Sequence, residues 1–172
     1  MEAMDCILGR TCVRRFRGDG IADMVLDGIL EAAVASPSAG NCQDWDFVVV
    51  RGRENRERLA EAAMGQRMIA EAPVVIVVCS NLKKIGRYGV RGESLYSIQD
   101  SAAAAENIML AAWDKGIGSC WIGAFDEGKV SQLLVLPEHV RPVAIIPLGY
   151  PAEKPEKPER WPLKDFVHSE HF

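Results

Sequence analysis

The residues best suited to chemistry in this sequence are basic side chains near its N-terminus. They crowd one short stretch of a chain whose net charge is −4: Arg10, Arg14, Arg15 and Arg17. In an extended backbone, alternate side chains share a face. One face would carry Arg10, Cys12 and Arg14, and the opposite face would carry Thr11, Val13 and Arg15. Two guanidiniums on one face match a doubly charged phosphate group; the alternative is a solvated basic patch.

A second candidate segment, Pro37–Phe47, combines small residues with side-chain amides. Gly40 and its small neighbours let the backbone come close to a ligand. Asn41 and Gln43 carry donors and acceptors of the kind that read the edge of a heterocycle. The alternative is a turn between a helix and a strand, anchored by Trp45.

The third candidate segment runs from Gly118 to Phe125. Gly123 and Ala124, at the end of a predicted strand, would leave backbone N–H groups accessible to a flat cofactor. The alternative is an ordinary strand end.

Other motifs point to less chemistry. The glycine-spaced stretch 86–92 lacks the Gly-Lys-Ser/Thr of a P-loop. We therefore expect a flexible lid within residues 82–94, whose Arg87, Tyr88 or Arg91 touches a substrate. His168 and His171 have no further ligands nearby in the sequence, so no metal site is predicted. No Ser-His-Asp grouping or marked carboxylate pair is present, so no catalytic side chain is predicted.

Helices and strands that would position these segments alternate along the chain. The spacing of apolar residues predicts helices over residues 4–9, 23–35, 53–63 and 94–115, and strands over residues 47–50, 73–78, 119–125 and 143–148. The 73–78 strand is apolar at every position, so both of its faces should be covered. The order predicts an α/β (α+β) fold of three layers, with helices flanking a central mixed sheet.

The 172 residues fit one domain followed by a tail. We predict a domain over residues 1–150 and a tail over residues 151–172, whose prolines and charges leave it to lie along a surface. The run Ala102–Ala105 in the longest predicted helix lacks bulk, which lets another helix approach. Both features indicate packing on a partner subunit, so we expect a homodimer.

Composition argues against several classes of protein. No apolar run approaches the ~20 residues that a membrane helix needs, and the acidic balance gives no general affinity for nucleic acid. Glu2 and Asp5 do not fit a signal peptide. The five cysteines form no CxxC pair, which argues against a zinc site and a secreted disulfide framework. We expect a cytoplasmic protein with no membrane or nucleic-acid partner.

Taken in order, these segments resemble the nitroreductase family of FMN-dependent oxidoreductases. The likeness covers essentially the whole chain, and the order of its short motifs carries it. The motifs are Arg10–Phe16, Pro37–Trp45, Gln66–Val75, Gln99–Ala104, Cys120–Gly123 and Arg160–Leu163.

The resemblance implies a nitroreductase-like fold, an intertwined homodimer and an FMN site built by both subunits. The phosphate would be held by Arg10, Cys12, Arg14 and Arg160, with Thr11 also among the cofactor-binding residues. The ribityl chain or the pyrimidine edge would lie near Gln66 and Arg67, and flavin N5 would accept from the backbone of Gly123 and Ala124, beside Ile122. The other subunit would supply Pro37, Ser38, Ala39 and Asn41, and Gln43 in the same segment is a further cofactor-binding candidate.

Two residues depart from the family pattern. Cys12 stands where the family usually has serine, and a thiol is a weaker hydrogen-bond donor. Asp44 replaces the usual proline before Trp45, which puts a carboxylate near the flavin. Either change could alter the choice of substrate.

The implied function is that of an FMN-dependent NAD(P)H oxidoreductase with a ping-pong mechanism. NADH or NADPH would deliver hydride to flavin N5, and an electron-poor acceptor such as a nitroaromatic or a quinone would then take the electrons. The alternatives are a specialised family member, such as a dehalogenase or a flavin-fragmenting enzyme, and a flavin-binding or storage protein with little turnover. The sequence does not select the acceptor, because the 82–94 stretch is the least family-like part of the chain.

Overall fold

The computed structural model describes residues 1–172. Its α-helices are α1 (Ala3–Gly9), α2 (Asp23–Val34), α3 (Arg53–Ala62), α4 (Met68–Glu71), α5 (Leu82–Ile85), α6 (Gly89–Arg91), α7 (Ser97–Asp114) and α8 (Glu127–Leu133). Its strands are β1 (Trp45–Val50), β2 (Val74–Asn81), β3 (Gly118–Ser119) and β4 (Val140–Gly149). Short 3₁₀ turns occupy Ala39–Asn41, Gly86–Tyr88 and Leu163–Asp165, and a π-helical turn covers Gly92–Tyr96. None of the helices has both the length and the apolar character needed to cross a membrane.

The four strands form one sheet in the order β1-β2-β4-β3, and every pair of neighbours is antiparallel. A single parallel bridge joins Cys12 to Ser119 and adds the N-terminal segment to the β3 edge. The sheet is therefore mixed only at this edge. The fold is of the α+β kind, which agrees with the predicted class.

The central strand β2 is buried on both faces, as its uninterrupted apolar sequence predicts. Ile76 and Val78 face a core built with α2 and α7. Val75 and Val77 face a second core, built with α3 and α8. The predicted three layers are confirmed, because helices cover both sides of the sheet.

The prediction of a strand over residues 119–125 is wrong for most of its length. β3 ends at Ser119, and only Ile122 returns to the sheet, through two hydrogen bonds of 3.0 Å with Ile145. The register on either side of this gap sets Cys120 opposite Pro147. Proline has no N–H to donate, so the ladder cannot continue through that position.

The sequence pattern predicts no helix where α4, α5, α6 and α8 lie. Asn81 begins α5 by accepting a hydrogen bond from the Lys83 N–H at 3.2 Å, and Asp126 begins α8 by accepting from the Lys129 N–H at 3.0 Å. Both are N-cap residue types, so capping is the sequence signal that could have located these helices. The 82–94 stretch is accordingly a series of helical turns and not an open loop.

The alanine-rich run of α7 packs within its own chain. Ala104 and Ala105 are fully buried in the core that α7 shares with α2 and the sheet. The small side chains do let a helix approach closely, but that helix is α2 of the same chain. The expectation that these alanines form a dimer core is therefore wrong for Ala104 and Ala105.

Candidate functional site

A cavity of about 340 Å³ lies between the N-terminal segment and the C-terminal tail. Its lining is mostly polar and consists of Arg10, Thr11, Cys12, Arg14, Glu156, Lys157, Pro158 and Arg160. The structure thus brings together the four residues assigned to the phosphate, from opposite ends of the chain, and places Thr11 beside them. Three guanidiniums and one ammonium face a single carboxylate there, so the cavity suits an anion.

The N-terminal wall of the cavity is an extended segment that follows α1. Arg10 turns the chain from helix to extended backbone, with φ −56° and ψ 134°. Val13 is fully buried, and its N–H donates to the Ser119 carbonyl at 2.9 Å. Arg14 lines the cavity, whereas Arg15 is exposed outside it. The alternation predicted from the sequence holds for these residues.

Thr11 departs from that alternation. Its side chain lines the same cavity as its neighbours, and its hydroxyl lies 3.4 Å from the Glu156 carbonyl, to which it donates. Strict alternation needs a continuous strand, and the N-terminal segment makes only isolated bridges, at Cys12 and at Phe16. Thr11 lines the cavity together with the other predicted residues, whereas its predicted placement on the opposite face is wrong.

The tail reaches the cavity because its first residues are tied to the N-terminal segment. The Glu153 carboxylate accepts hydrogen bonds from the backbone N–H groups of Arg14 at 2.8 Å and Arg15 at 3.2 Å. The Ala152 N–H donates to the Arg15 carbonyl at 2.9 Å, and the Lys157 ammonium donates to the Leu8 carbonyl. These contacts lead the chain to the place where Arg160 completes the wall.

Beyond Arg160 the tail lies away from the body of the chain. Its large apolar side chains are exposed: Trp161, Leu163, Phe166, Val167 and Phe172. A second set of exposed apolar side chains lies at the N-terminus, on Met1, Met4, Ile7 and Leu8. Contiguous exposed apolar surface is typical of sites that pack against a partner.

Cys12 carries the unusual chemistry of the cavity. A hydrogen bond from the Cys120 thiol lowers the pKa of Cys12 to about 5, against burial, and the Trp121 backbone and the charges of Arg14 and Arg10 lower it further. Cys120, which faces the thiolate, has its pKa raised by the same hydrogen bond and by burial. At neutral pH the Cys12 side chain is therefore a thiolate that partly neutralises the arginines around it.

The Gly123–Ala124 backbone lies on the continuation of the same edge of the sheet. Ile122 is buried and holds the segment to Ile145, while Gly123 and Ala124 are exposed. The N–H groups of Gly123 and Ala124 donate to no acceptor within the chain. They are free to donate to a ligand.

Gln66 lies beside this exposed backbone. Its amide donates to the Ala63 carbonyl at 3.1 Å and to the Ala124 carbonyl at 3.2 Å, so it fixes the position of Ala124. Arg67 points away from the chain, with its side chain 89% exposed and 3.6 Å from the Glu71 carboxylate. The structure thus places Gln66 next to Ala124 and leaves the Arg67 side chain exposed to solvent beside Glu71.

The Pro37–Gln43 segment lies elsewhere in the chain. Its backbone enters the left-handed region at Gly40 (φ 53°), Asn41 (φ 56°) and Gln43 (φ 49°). The Ala39 N–H donates to the Asp100 carboxylate at 2.9 Å, and no hydrogen bond joins the segment to the cavity. Within one chain, the structure does not bring these candidates together with the residues of the cavity.

Comparison with known proteins identifies the family of this chain. The sequence profile of the nitroreductase family matches residues 7–67 and 64–150. The chain belongs to the nitroreductase family. A family member from Methanothermobacter thermautotrophicus, provisionally named an NADH dehydrogenase/NAD(P)H nitroreductase, is 38% identical over 161 residues, which cover 90% of this chain and 80% of that protein.

Other nitroreductase-family proteins match over nearly the whole chain. The NADH dehydrogenase of Thermus thermophilus is 34% identical, and the match covers 97% of this chain and 95% of that protein. The solved structure of the NADPH:FMN oxidoreductase from Vibrio harveyi, complexed with NAD⁺, superposes with a TM-score of 0.91 at 28% identity. That match covers 99% of this chain and 77% of the other.

Two residues outside the predicted set also contact or adjoin the candidate site residues. Lys157 adds a cation to the cavity, three positions before Arg160. Asp100 holds the Ala39 N–H. The sequence carries a signal for Lys157, which is a second basic residue near Arg160, whereas nothing in the sequence around Asp100 indicates its contact with Ala39.

Proposed function

We propose that this chain is an FMN-dependent NAD(P)H oxidoreductase. The observation that carries the proposal is the cavity that joins Arg10, Arg14 and Arg160 to Lys157. This donor set fits the phosphate of FMN, because guanidiniums bind phosphate oxygens through paired hydrogen bonds. The names of the family members from Thermus thermophilus and Vibrio harveyi support both the nicotinamide donor and the flavin.

The chemistry would belong to the flavin, which when bound would supply hydride transfer from NADH or NADPH to an electron-poor acceptor, such as a nitroaromatic or a quinone. The chain itself would bind and orient the cofactor and would exclude water from it. Flavin chemistry needs no Ser-His-Asp grouping or other set of reacting side chains, and the sequence predicts none.

The chain's own residues would hold the cofactor at two points along one edge of the sheet. The phosphate would sit among the arginines of the cavity. The isoalloxazine ring would receive hydrogen bonds from the N–H groups of Gly123 and Ala124, which have no acceptor within the chain. Gln66 would keep that backbone in place through its hydrogen bond to the Ala124 carbonyl.

We propose further that the site is completed by a second copy of the chain. The Pro37–Gln43 segment has no hydrogen bond to the cavity of its own chain, so its contribution would come from the partner. The exposed apolar side chains of the tail and of α1 supply a surface on which such a partner would pack. The tail would then wrap the partner subunit beyond Arg160. The cytoplasmic location inferred from the sequence stays a prediction.

The test is an absorbance spectrum of the purified protein, followed by steady-state oxidation of NADH and NADPH with a quinone or a nitroarene. We expect a flavin spectrum, one FMN per chain, and turnover that needs both the pyridine nucleotide and the acceptor. Bound flavin without turnover would favour a storage role. A protein that neither carries nor takes up flavin would refute the proposal.

A further inference from the structure

A buried pair of carboxyl groups lies under the Pro37–Gln43 segment. Asp44, directly before β1, is fully buried, and neither of its carboxyl oxygens receives a hydrogen bond from a donor in the chain. Asp100, near the start of α7, is 8% exposed, and a hydrogen bond with its side chain is among the causes that raise the pKa of Asp44. A buried carboxylate without donors is costly, and a second carboxylate beside it raises that cost.

The groups around Asp44 offer no cation to neutralise it by contact. Lys84 of α5 is the nearest positive charge, and its ammonium is bound to the Trp45 carbonyl at 2.9 Å and to the Asp46 carboxylate at 2.8 Å. From β2, the Asn81 N–H donates to the backbone carbonyl of Asp44 and leaves the carboxyl group unpaired.

The remaining polar groups nearby are hydroxyls that are engaged with one another. The Ser101 hydroxyl lies 3.3 Å from that of Ser80, and the Ser80 hydroxyl donates to the Ser97 carbonyl at 3.5 Å. A proton on Asp44 therefore supplies the donor that is missing from this buried pair, since the protonated carboxyl can donate to Asp100. Burial, and then the hydrogen bond and charge of Asp100, raise the pKa of Asp44 to about 7.

We propose that Asp44 is a positioning residue that keeps a proton, donates a hydrogen bond through it to Asp100, and so holds Asp100 in the orientation that accepts the Ala39 N–H. The hydrogen bond from the Ala39 N–H to the Asp100 carboxylate, 2.9 Å long, ties this part of the segment to α7. Gly40 comes next, in the left-handed region and in contact with Arg87 and Tyr88 of the 82–94 stretch. Asp44 thereby sets the shape of the segment that, in the proposed function, reaches the partner's flavin.

The proton on Asp44 makes the contact between Asp100 and Ala39 depend on pH. Above about pH 7, Asp44 ionises, the two carboxylates repel each other, and the contact of Asp100 with Ala39 loosens. Since the folded-state pKa is raised above the ordinary value of 3.8, the folded chain keeps a proton that the unfolded chain has lost between about pH 4 and pH 7. The contribution of Asp44 to stability therefore falls as the pH rises through that window and is constant above it.

Three proteins test the proposal: the wild type, Asp44→Asn and Asp44→Leu. The amide of the Asn variant stays neutral and still donates to Asp100, whereas Leu has no donor. The first readout is hydrogen–deuterium exchange at the Ala39 amide from pH 6 to pH 9, each variant being compared with the wild type at the same pH. The second is the dissociation constant for riboflavin, which has no phosphate whose own ionisation would enter the profile.

We expect exchange at Ala39 to match in the wild type and Asp44→Asn at pH 6, and the wild type to exchange faster above pH 7. Riboflavin affinity of the wild type should fall above pH 7, by at most tenfold per pH unit because one proton is involved. In Asp44→Asn it should stay constant. Asp44→Leu should exchange quickly at Ala39 at every pH.

Parallel exchange profiles in the wild type and Asp44→Asn would overturn the positioning role, whatever the flavin result. The inference rests on the proposed function only for its consequence on flavin. If the exchange profiles differ as expected but no variant binds flavin, the proposed function fails and the carboxyl pair stands. If flavin binds with the same pH profile in the wild type and Asp44→Asn, the proposed function stands and the link from Asp44 to the flavin site is refuted.

Discussion

Cys12 and Ser119 form a parallel bridge, and this contact joins the arginine-bearing segment to the strand that leads to Gly123. Both candidate regions of the flavin site therefore lie on one continuous edge of the sheet, although they are far apart in the sequence. The cation-lined end and the end with free N–H groups are thus fixed relative to each other by backbone, so changes at one end can be tested without moving the other.

The phosphate end is tested by comparing two neighbouring arginines. Arg14→Ala removes a charge-assisted contact worth about 1.5–3 kcal/mol, so FMN affinity should fall roughly ten- to a hundredfold. Arg15→Ala should change little, because that side chain lies outside the cavity. Both variants keep the backbone N–H groups that donate to Glu153.

Fluorescence titration with FMN and with riboflavin measures both effects. Riboflavin lacks the phosphate, so its affinity should be indifferent to either substitution. Equal losses for the two flavins in Arg14→Ala would show that the change merely damages the fold.

Cys12 should weaken phosphate binding at neutral pH, since a thiolate among the arginines opposes a second anion. Cys12→Ser removes that charge and adds a hydroxyl donor, so we expect FMN to bind about tenfold more tightly at pH 7–8. The gain should shrink as the pH falls toward 5, where the wild-type thiolate becomes protonated. Isothermal titration across this range measures it, with riboflavin as the control that should show no gain.

The same thiolate should stabilise the folded chain without flavin. The folded-state pKa of Cys12, about 5, lies below its ordinary value of 9.0, so this contribution is fully present above pH 9 and is lost as the pH falls toward 5. Thermal unfolding of the wild type relative to Cys12→Ser should show this rise between pH 5 and pH 9. A difference that is constant with pH would contradict an ionised Cys12.

The exposed tail should hold the second subunit. Replacing Trp161 and Phe166 by serine removes large apolar side chains that are mostly exposed in the single chain. We expect the double variant to shift from dimer to monomer in analytical ultracentrifugation and to lose flavin with the dimer. Glu170→Gln, in the same tail, is the control that should leave both unchanged. A monomer that keeps full flavin affinity would show that one chain suffices for the site.

Two glycines should respond to alanine in opposite ways. A Cβ at Gly118 would lie 2.6 Å from the Cβ of Val13, so Gly118→Ala must push apart the β3 edge and the arginine-bearing segment. We expect a loss of about 1–3 kcal/mol in unfolding free energy, together with weaker FMN binding. Gly28, inside α2, has only ordinary contact with Lys115 at 3.7 Å, so Gly28→Ala should stabilise the chain by about 0.5–1 kcal/mol. Urea unfolding of both variants checks the two signs.

The sequence alone determined the features that depend on local pattern. The apolar run of β2 predicted a strand covered on both faces, and the cores on either side of Ile76 and Val77 confirm it. The crowding of Arg10 and Arg14 predicted a cationic site, and the order of short motifs pointed to the family. Each of these features depends on residues that are neighbours in the sequence. Their periodicity and charge are the same however the rest of the chain folds.

Only the tertiary structure decided features that depend on which distant groups meet. Pro147 interrupts the predicted 119–125 strand because the sheet register places it opposite Cys120. Glu153 brings Arg160 to Arg14 through contacts made 139 positions along the chain. Asp44 stands out in the sequence as a carboxylate before Trp45, but only the packing of β1 and α7 buries it beside Asp100. Hydrogen-bond partners and desolvation are set by neighbours in space, and no local pattern encodes those neighbours.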